Sequence, residues 1–175
     1  MQTVVEKAKA IRLLILDVDG VLTSGILYYG NDHMEMKGFH IHDGLGIKLL
    51  QKTGVTVAVI SGKRSHLVEG RLKELNIDHA YLGHEDKVPA YDDLKQKLEL
   101  NDNDIAYMGD DLLDLPLLRR AGLAITVPNA PAIMKQYVDF TTIKMGGEGA
   151  VREVCELIMN AQGQYLSVIQ SYLTR

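Results

Sequence analysis

The chain has 175 residues, a formal charge of −4 and 46% hydrophobic residues, which suits one domain, residues 1–175, with a sizeable core. The negative balance argues against nonspecific nucleic-acid binding. The single cysteine, Cys155, excludes an internal disulfide framework, and no apolar run approaches the ~18 residues that span a bilayer. The first residues, Met1-Gln2-Thr3-Val4-Val5-Glu6-Lys7, lack the apolar centre of a secretory signal, so no membrane partner and a cytoplasmic setting are expected.

An almost unbroken apolar run, Arg12-Leu13-Leu14-Ile15-Leu16, predicts a first strand buried on both faces. Next, Ile26-Leu27-Tyr28-Tyr29 and Met34-Glu35-Met36-Lys37 flank the turn residues Gly30-Asn31-Asp32 and predict a hairpin within about 25–38. A helix is expected over 46–52, ended by Gly54, then a strand over 55–60, a helix over 67–75, a strand over 80–82 and a helix over 88–98. The strand Ile105-Ala106-Tyr107-Met108 follows, with a helix near 113–121, a strand over 123–127, a short helix near 131–137, a strand over 139–143 and a helix from Val151 that carries Cys155 as a small buried residue. Strand and helix in turn imply an α/β, Rossmann-like parallel sheet with helices on both faces, plus a protruding hairpin. The apolar residues of the tail, about 163–175, find no place in that core.

The reactive residue types gather where predicted strands end, which in open parallel sheets is where ligands bind. Asp17-Val18-Asp19-Gly20 closes the first strand with two carboxylates, and Gly109-Asp110-Asp111-Leu112-Leu113-Asp114 follows the strand over 105–108. Asp17, Asp19 and Asp110 together offer hard oxygen ligands suited to Mg²⁺. Ser61-Gly62 follows another strand and combines a hydroxyl with backbone N–H groups that cradle an anion. Lys87 opens a helix, where a cation opposes the helix dipole and points to an anionic partner. Each feature alone has an ordinary reading, as turn, cap or solvated charge; it is their order, each after its own strand, that favours a site.

In that order the chain resembles the haloacid dehalogenase superfamily of phosphatases, whose four motifs are matched by Asp17-Val18-Asp19-Gly20-Val21-Leu22-Thr23, by Ser61, by Lys87 and by Gly109 through Asp114. Over nearly the whole chain it is further similar to a capless subfamily that dephosphorylates an eight-carbon 3-deoxy sugar-acid phosphate in lipopolysaccharide precursor synthesis. Gly30-Asn31, Phe39-His40-Ile41-His42-Asp43-Gly44-Leu45-Gly46-Ile47 and Gly146-Gly147-Glu148-Gly149-Ala150-Val151-Arg152-Glu153 carry this narrower likeness. The segments 20–60 and 62–86 are already filled by core elements and one hairpin, which leaves no room for a cap domain.

The resemblance implies that Asp17 is the nucleophile forming an aspartyl-phosphate and that Asp19 is the acid and base, its pKa raised with help from a neighbouring carboxylate. Mg²⁺ falls to Asp17, the Asp19 carbonyl and Asp110, supported by Asp111 or Asp114. The phosphoryl oxygens fall to Ser61, Gly62 and Lys87. The partners implied are a small phosphorylated sugar acid and further copies of the chain, in a homotetramer built by the hairpins with C-terminal tails near adjacent sites. Lys63, Arg64, Arg71 and Arg152 are the candidate substrate-binding cations. Lys63 stands where these phosphatases often have arginine and their nine-carbon relatives have glutamate, and His42 stands where an arginine is common. His40 and His42, read as alternating on one strand face, lack a third ligand for a metal. Three alternatives are a phosphatase for a nine-carbon sugar acid, a phospho-aspartate receiver module, and a noncatalytic regulatory relative that keeps the tetramer but not the activity. The receiver is disfavoured because receivers phosphorylate an aspartate on a later strand, and the regulatory relative because the motifs are intact.

Overall fold

The computed structural model describes residues 2–31 and 35–174. β1 (Leu13–Leu16) forms where four aliphatic residues follow one another, and all four are fully buried. At roughly 1.5–3 kcal/mol for each large aliphatic side chain removed from water, this strand anchors the sheet. A small hairpin follows, β2 (Tyr28–Tyr29) antiparallel to β3 (Glu35–Met36). The remaining strands are β4 (Thr56–Ser61), β5 (His79–Leu82), β6 (Ile105–Met108), β7 (Leu123–Thr126) and β8 (Phe140–Thr141). Among the described residues the main sheet has six strands, all parallel, in the order β5-β4-β1-β6-β7-β8.

The helices are α1 (Val4–Ala10), α2 (Ile41–Lys52), α3 (His66–Glu74), α4 (Val88–Lys97), α5 (Leu115–Leu118), α6 (Ala150–Ala161) and α7 (Tyr165–Leu173). α6 packs against α1 and α2, while α4 and α5 meet each other and α5 contacts β6 and β7. From β1 the chain builds outward through β4 to β5, then returns to the other side of β1 for β6. The strand order therefore reverses between β1 and β6, and a crevice opens there at the carboxyl ends of the strands. Leu16 is level with both Val59 of β4 and Met108 of β6, so Asp17, Ser61 and Asp110 emerge at neighbouring heights. No helix among the described residues is long and apolar enough to cross a membrane.

Several boundaries differ from the sequence expectation for identifiable reasons. α2 begins at Ile41, not Gly46, because the His40 ring caps it by accepting the His42 N–H at 3.3 Å. His40 and His42 thus lie at a helix start rather than on a strand, with their rings edge to face. The helix expected near 113–121 is split into a tight turn at 112–114 and the four-residue α5, because the Asp114 carboxylate takes the backbone N–H groups of Asp110 and Asp111. β8 stops at Thr141 because the Glu153 carboxylate accepts the Ile143 and Lys144 N–H groups.

α1 went unmarked in the sequence although Thr3 and Glu6 form a reciprocal capping box that announces it. The tail is helical as α7, with Tyr165 and Val168 packed on the core and Leu166 and Leu173 exposed. The hairpin residues Asp32 and Met34 lie outside the described residues.

Candidate active site

A cavity of about 280 Å³ lies at the β1/β6 crevice, lined by Asp17, Asp19, Gly25, Ser61, Gly62, Lys63, Lys87, Asp110, Asp111, Leu113 and Asp114. A larger hollow of about 690 Å³ lies at the opposite ends of β4 and β5, beside Thr56, Val57 and His79. It lacks the carboxylate cluster, so the smaller cavity is the one with chemistry.

Asp17 follows β1 directly, and its backbone N–H extends the ladder to the Met108 carbonyl. Its Oδ1 accepts the Val18 N–H at 2.7 Å and lies 3.0 Å from Lys87 Nζ. Burial, reinforced by the Asp114 charge and opposed by Lys87, pushes the Asp17 carboxyl up to about 7. Asp110, across the crevice, is likewise raised to about 7 by burial and then by Asp17. Asp17, Asp110 and Asp114 place carboxylate oxygens within 4.8 Å of one another. Carboxylates crowded in this way, two of them resisting ionisation, are a donor set that a divalent cation satisfies.

The three are not equivalent. Asp114 is fully buried, and both its oxygens are occupied: Oδ1 by Lys87 Nζ at 2.6 Å and the Tyr107 hydroxyl at 2.5 Å, Oδ2 by the N–H groups of Asp110 and Asp111 at 2.9 and 3.1 Å. It holds the loop and the lysine, which leaves Asp17 and Asp110 as the carboxylates that could hold a metal.

Lys87 sits just before α4, and its dipole-opposing position is explained by its partners Asp17 and Asp114. Burial works against its charge, but the two carboxylates outweigh this and hold its pKa above the ordinary lysine value. Ser61 ends β4 and is buried; its hydroxyl accepts the Lys63 N–H at 3.4 Å, and its carbonyl takes the Gly83 and His84 N–H groups. The turn after Asp19 depends on Gly20, whose φ is +88° and where a Cβ would stand 2.0 Å from Asp110 Oδ2. Thr23 pins this turn, its hydroxyl oxygen accepting the Gly25 N–H at 3.2 Å.

Of the candidate cations, Lys63 lines the cavity. Arg64, Arg71 and Arg152 lie outside it, engaged by Glu69, Glu74 and Glu156. The charge in contact with Asp19 is the Lys37 ammonium rather than the carboxylate expected from sequence. Lys37 and Tyr107 are the two site residues that the sequence reading missed. Nothing local marks either, since Tyr107 lies in an apolar strand and Lys37 at the end of a hairpin.

Two of the three segments that carry the narrower likeness, 39–47 and 146–153, meet behind this site. Gly46 lets α2 approach Arg152 of α6, and Asp43 Oδ1 accepts the Arg152 N–H at 2.7 Å. Gly146 donates to Asn129 Oδ1 and Gly147 to the Val21 carbonyl, which presses this loop onto the turn after Asp19. A Cβ on Gly146 would stand 1.7 Å from the Gly20 carbonyl oxygen.

A buried carboxylate at the switch point of a parallel sheet, paired with a buried lysine, is the arrangement of a hydrolase of the phosphate-directed α/β class. In keeping with this, the model of the haloacid dehalogenase-like hydrolases matches residues 81–154. The 3-deoxy-D-manno-octulosonate 8-phosphate phosphatase of Escherichia coli K12 is 45% identical over 92% of this chain and 86% of its own. A crystal structure of that phosphatase from Moraxella catarrhalis, in complex with magnesium, phosphate and the sugar acid, superposes with a TM-score of 0.94 at 43% identity, covering 97% of each chain. The cobalt-bound Haemophilus influenzae phosphatase superposes at 0.87 with 40% identity, covering 90% of this chain and 92% of that one. The chain belongs to the haloacid dehalogenase superfamily and, within it, to the 3-deoxy-D-manno-octulosonate 8-phosphate phosphatase family.

Proposed function

We propose that this protein hydrolyses 3-deoxy-D-manno-octulosonate 8-phosphate to the free sugar acid and phosphate. The observation that carries the reading is the convergence of Asp17, Ser61, Gly62, Lys87 and Asp110, from separate strand ends, on one cavity. The Val18 N–H and Lys87 Nζ both engage Oδ1 of the Asp17 carboxylate, which leaves Oδ2 for attack. The Asp17–phosphorus bond forms as the bond from phosphorus to the sugar oxygen breaks, and Asp19 gives that oxygen its proton. Asp19 then takes a proton from water, whose oxygen displaces Asp17 from phosphorus and releases phosphate. Ser61, the Gly62 N–H and Lys87 hold the phosphoryl oxygens where charge builds up. Magnesium, held by Asp17, Asp110 and the Asp19 carbonyl, supplies positive charge against those oxygens when bound.

Lys63 is the cation in the cavity suited to the sugar-acid carboxylate, as a point charge rather than a bidentate fork. A homotetramer fits the exposed Tyr28, Tyr29 and Met36 of the hairpin, and exposed Leu166 and Leu173 of α7 fit a tail that packs on a neighbour near its site. We place the protein in the cytoplasm as one domain.

The test is phosphate release from a panel of sugar-acid phosphates with Mg²⁺ or EDTA. The eight-carbon substrate should give the highest kcat/KM, EDTA should abolish turnover, and Lys63→Glu should erode the preference. A panel led by a nine-carbon substrate moves the assignment to that subfamily, and no turnover of any phosphate ester sinks it.

A further inference from the structure

Lys37 lies one residue beyond β3, on a hairpin whose neighbouring side chains are exposed, yet its own side chain is only 3% exposed. It is buried because it turns inward: Nζ pairs with Asp19 Oδ1 and lies 3.5 Å from Glu35 Oε1. The chain thus leaves the catalytic loop at Asp19, passes along β2, returns along β3 and closes on Asp19 again through an ion pair. A buried ammonium is tolerated only where it is paired, so the contact fixes both groups. Asp19 has a half-open side chain on a short turn at the rim of the cavity, where a carboxylate without a partner would sample several rotamers.

We propose that Lys37 is a positioning residue for Asp19: the hairpin delivers a cation that holds the Asp19 carboxyl in the orientation from which it meets the leaving-group oxygen. The inference rests on the assignment of Asp19 as proton donor. It also ties the acid step to the seating of the hairpin, since the ion pair joins them. Lys37 need not touch substrate for this.

The experiment compares formation of the aspartyl-phosphate, by rapid-quench labelling, from two phosphate esters: the eight-carbon sugar-acid 8-phosphate, whose alkoxide must be protonated as it leaves, and p-nitrophenyl phosphate, whose leaving group departs unaided. Lys37→Met keeps the aliphatic stem and removes the charge. It should slow labelling by the sugar phosphate about 10- to 100-fold, the scale of a misplaced catalytic group, with KM changed less than about 3-fold and the aryl ester nearly unaffected. Lys37→Arg should recover most of the rate. Lys37→Gln is read in the same way if the methionine variant does not fold.

Equal losses on the two esters, a rise in KM alone, or no loss at all would overturn the proposal. Asp19→Asn run on the same pair separates the two ideas. If it slows both esters equally or neither, the proton-donor assignment fails. If it discriminates between them and Lys37→Met does not, only the role of Lys37 fails.

Discussion

Carboxylates serve opposite ends in two regions that touch. In the cavity, buried Asp17 and half-buried Asp110 face each other and are pushed up to about 7. Behind it, Asp43 and Glu153 point at backbone N–H groups: Asp43 supplies the start of α6 with the acceptor that Gly149 lacks, and Glu153 terminates β8. Burial also raises the Asp43 carboxyl, but there the Arg152 N–H works against it. Carboxylates aimed at N–H groups hold the fold together. Those aimed at one another cost stability and stay available to a cation or a phosphorus atom.

The sharpest way to break the comparison is Asp17→Asn. The amide is isosteric but not a competent nucleophile, so turnover should fall at least ~10³-fold, while the metal-free melting temperature holds or rises because a crowded carboxylate has gone. Near-normal phosphate release from a clean preparation would remove the mechanism.

Next in size is Gly146→Ala, which attacks the site from behind. A methyl group 1.7 Å from the Gly20 carbonyl oxygen must displace the turn that carries Asp19. We expect about 10- to 100-fold lower kcat with about 1–3 kcal/mol lost from the unfolding free energy, read from urea titration and steady-state kinetics. Unchanged kcat would show that the loop does not brace the turn.

The cavity also predicts a pH-dependent response to metal. Because the folded-state values of Asp17 and Asp110 are raised above the unfolded ones, their ionisation makes the metal-free fold less stable as pH rises from about 4 to about 7. Mg²⁺ binds the ionised pair, so its stabilising effect should grow over the same range. Thermal melts with Mg²⁺ and with EDTA at pH 5 and 7.5 test this, and an equal or smaller gain at pH 7.5 would contradict it. Smallest is Asp43→Asn, where weakening the acceptor for α6 should cost about 0.5–2 kcal/mol with kcat within about 3-fold of the parent. A large kcat effect without a stability effect would move Asp43 from the scaffold to the chemistry.

The amino-acid sequence by itself determined the central strands and the residues that follow them. Continuous apolar runs such as Leu13-Leu14-Ile15-Leu16 have one stable placement, between two layers, and whatever follows must surface at the strand end. Asp17, Ser61 and Asp110 were legible for that reason, and Lys87 because a cation at a helix start demands an anion. Only the tertiary structure decided the rest, through pairings between residues distant along the chain or on separate elements. Lys37 meets Asp19 because the hairpin folds back, Tyr107 meets Lys87 and Asp114 across two elements, and Asp43 reaches the start of a helix far along the chain. Arg71 and Arg152 read as equals of Lys63, yet each lies beside a glutamate three or four residues on, on its own helix, outside the cavity. Local pattern fixes which groups a strand end presents; which charge meets which depends on long-range packing that no short window of sequence contains.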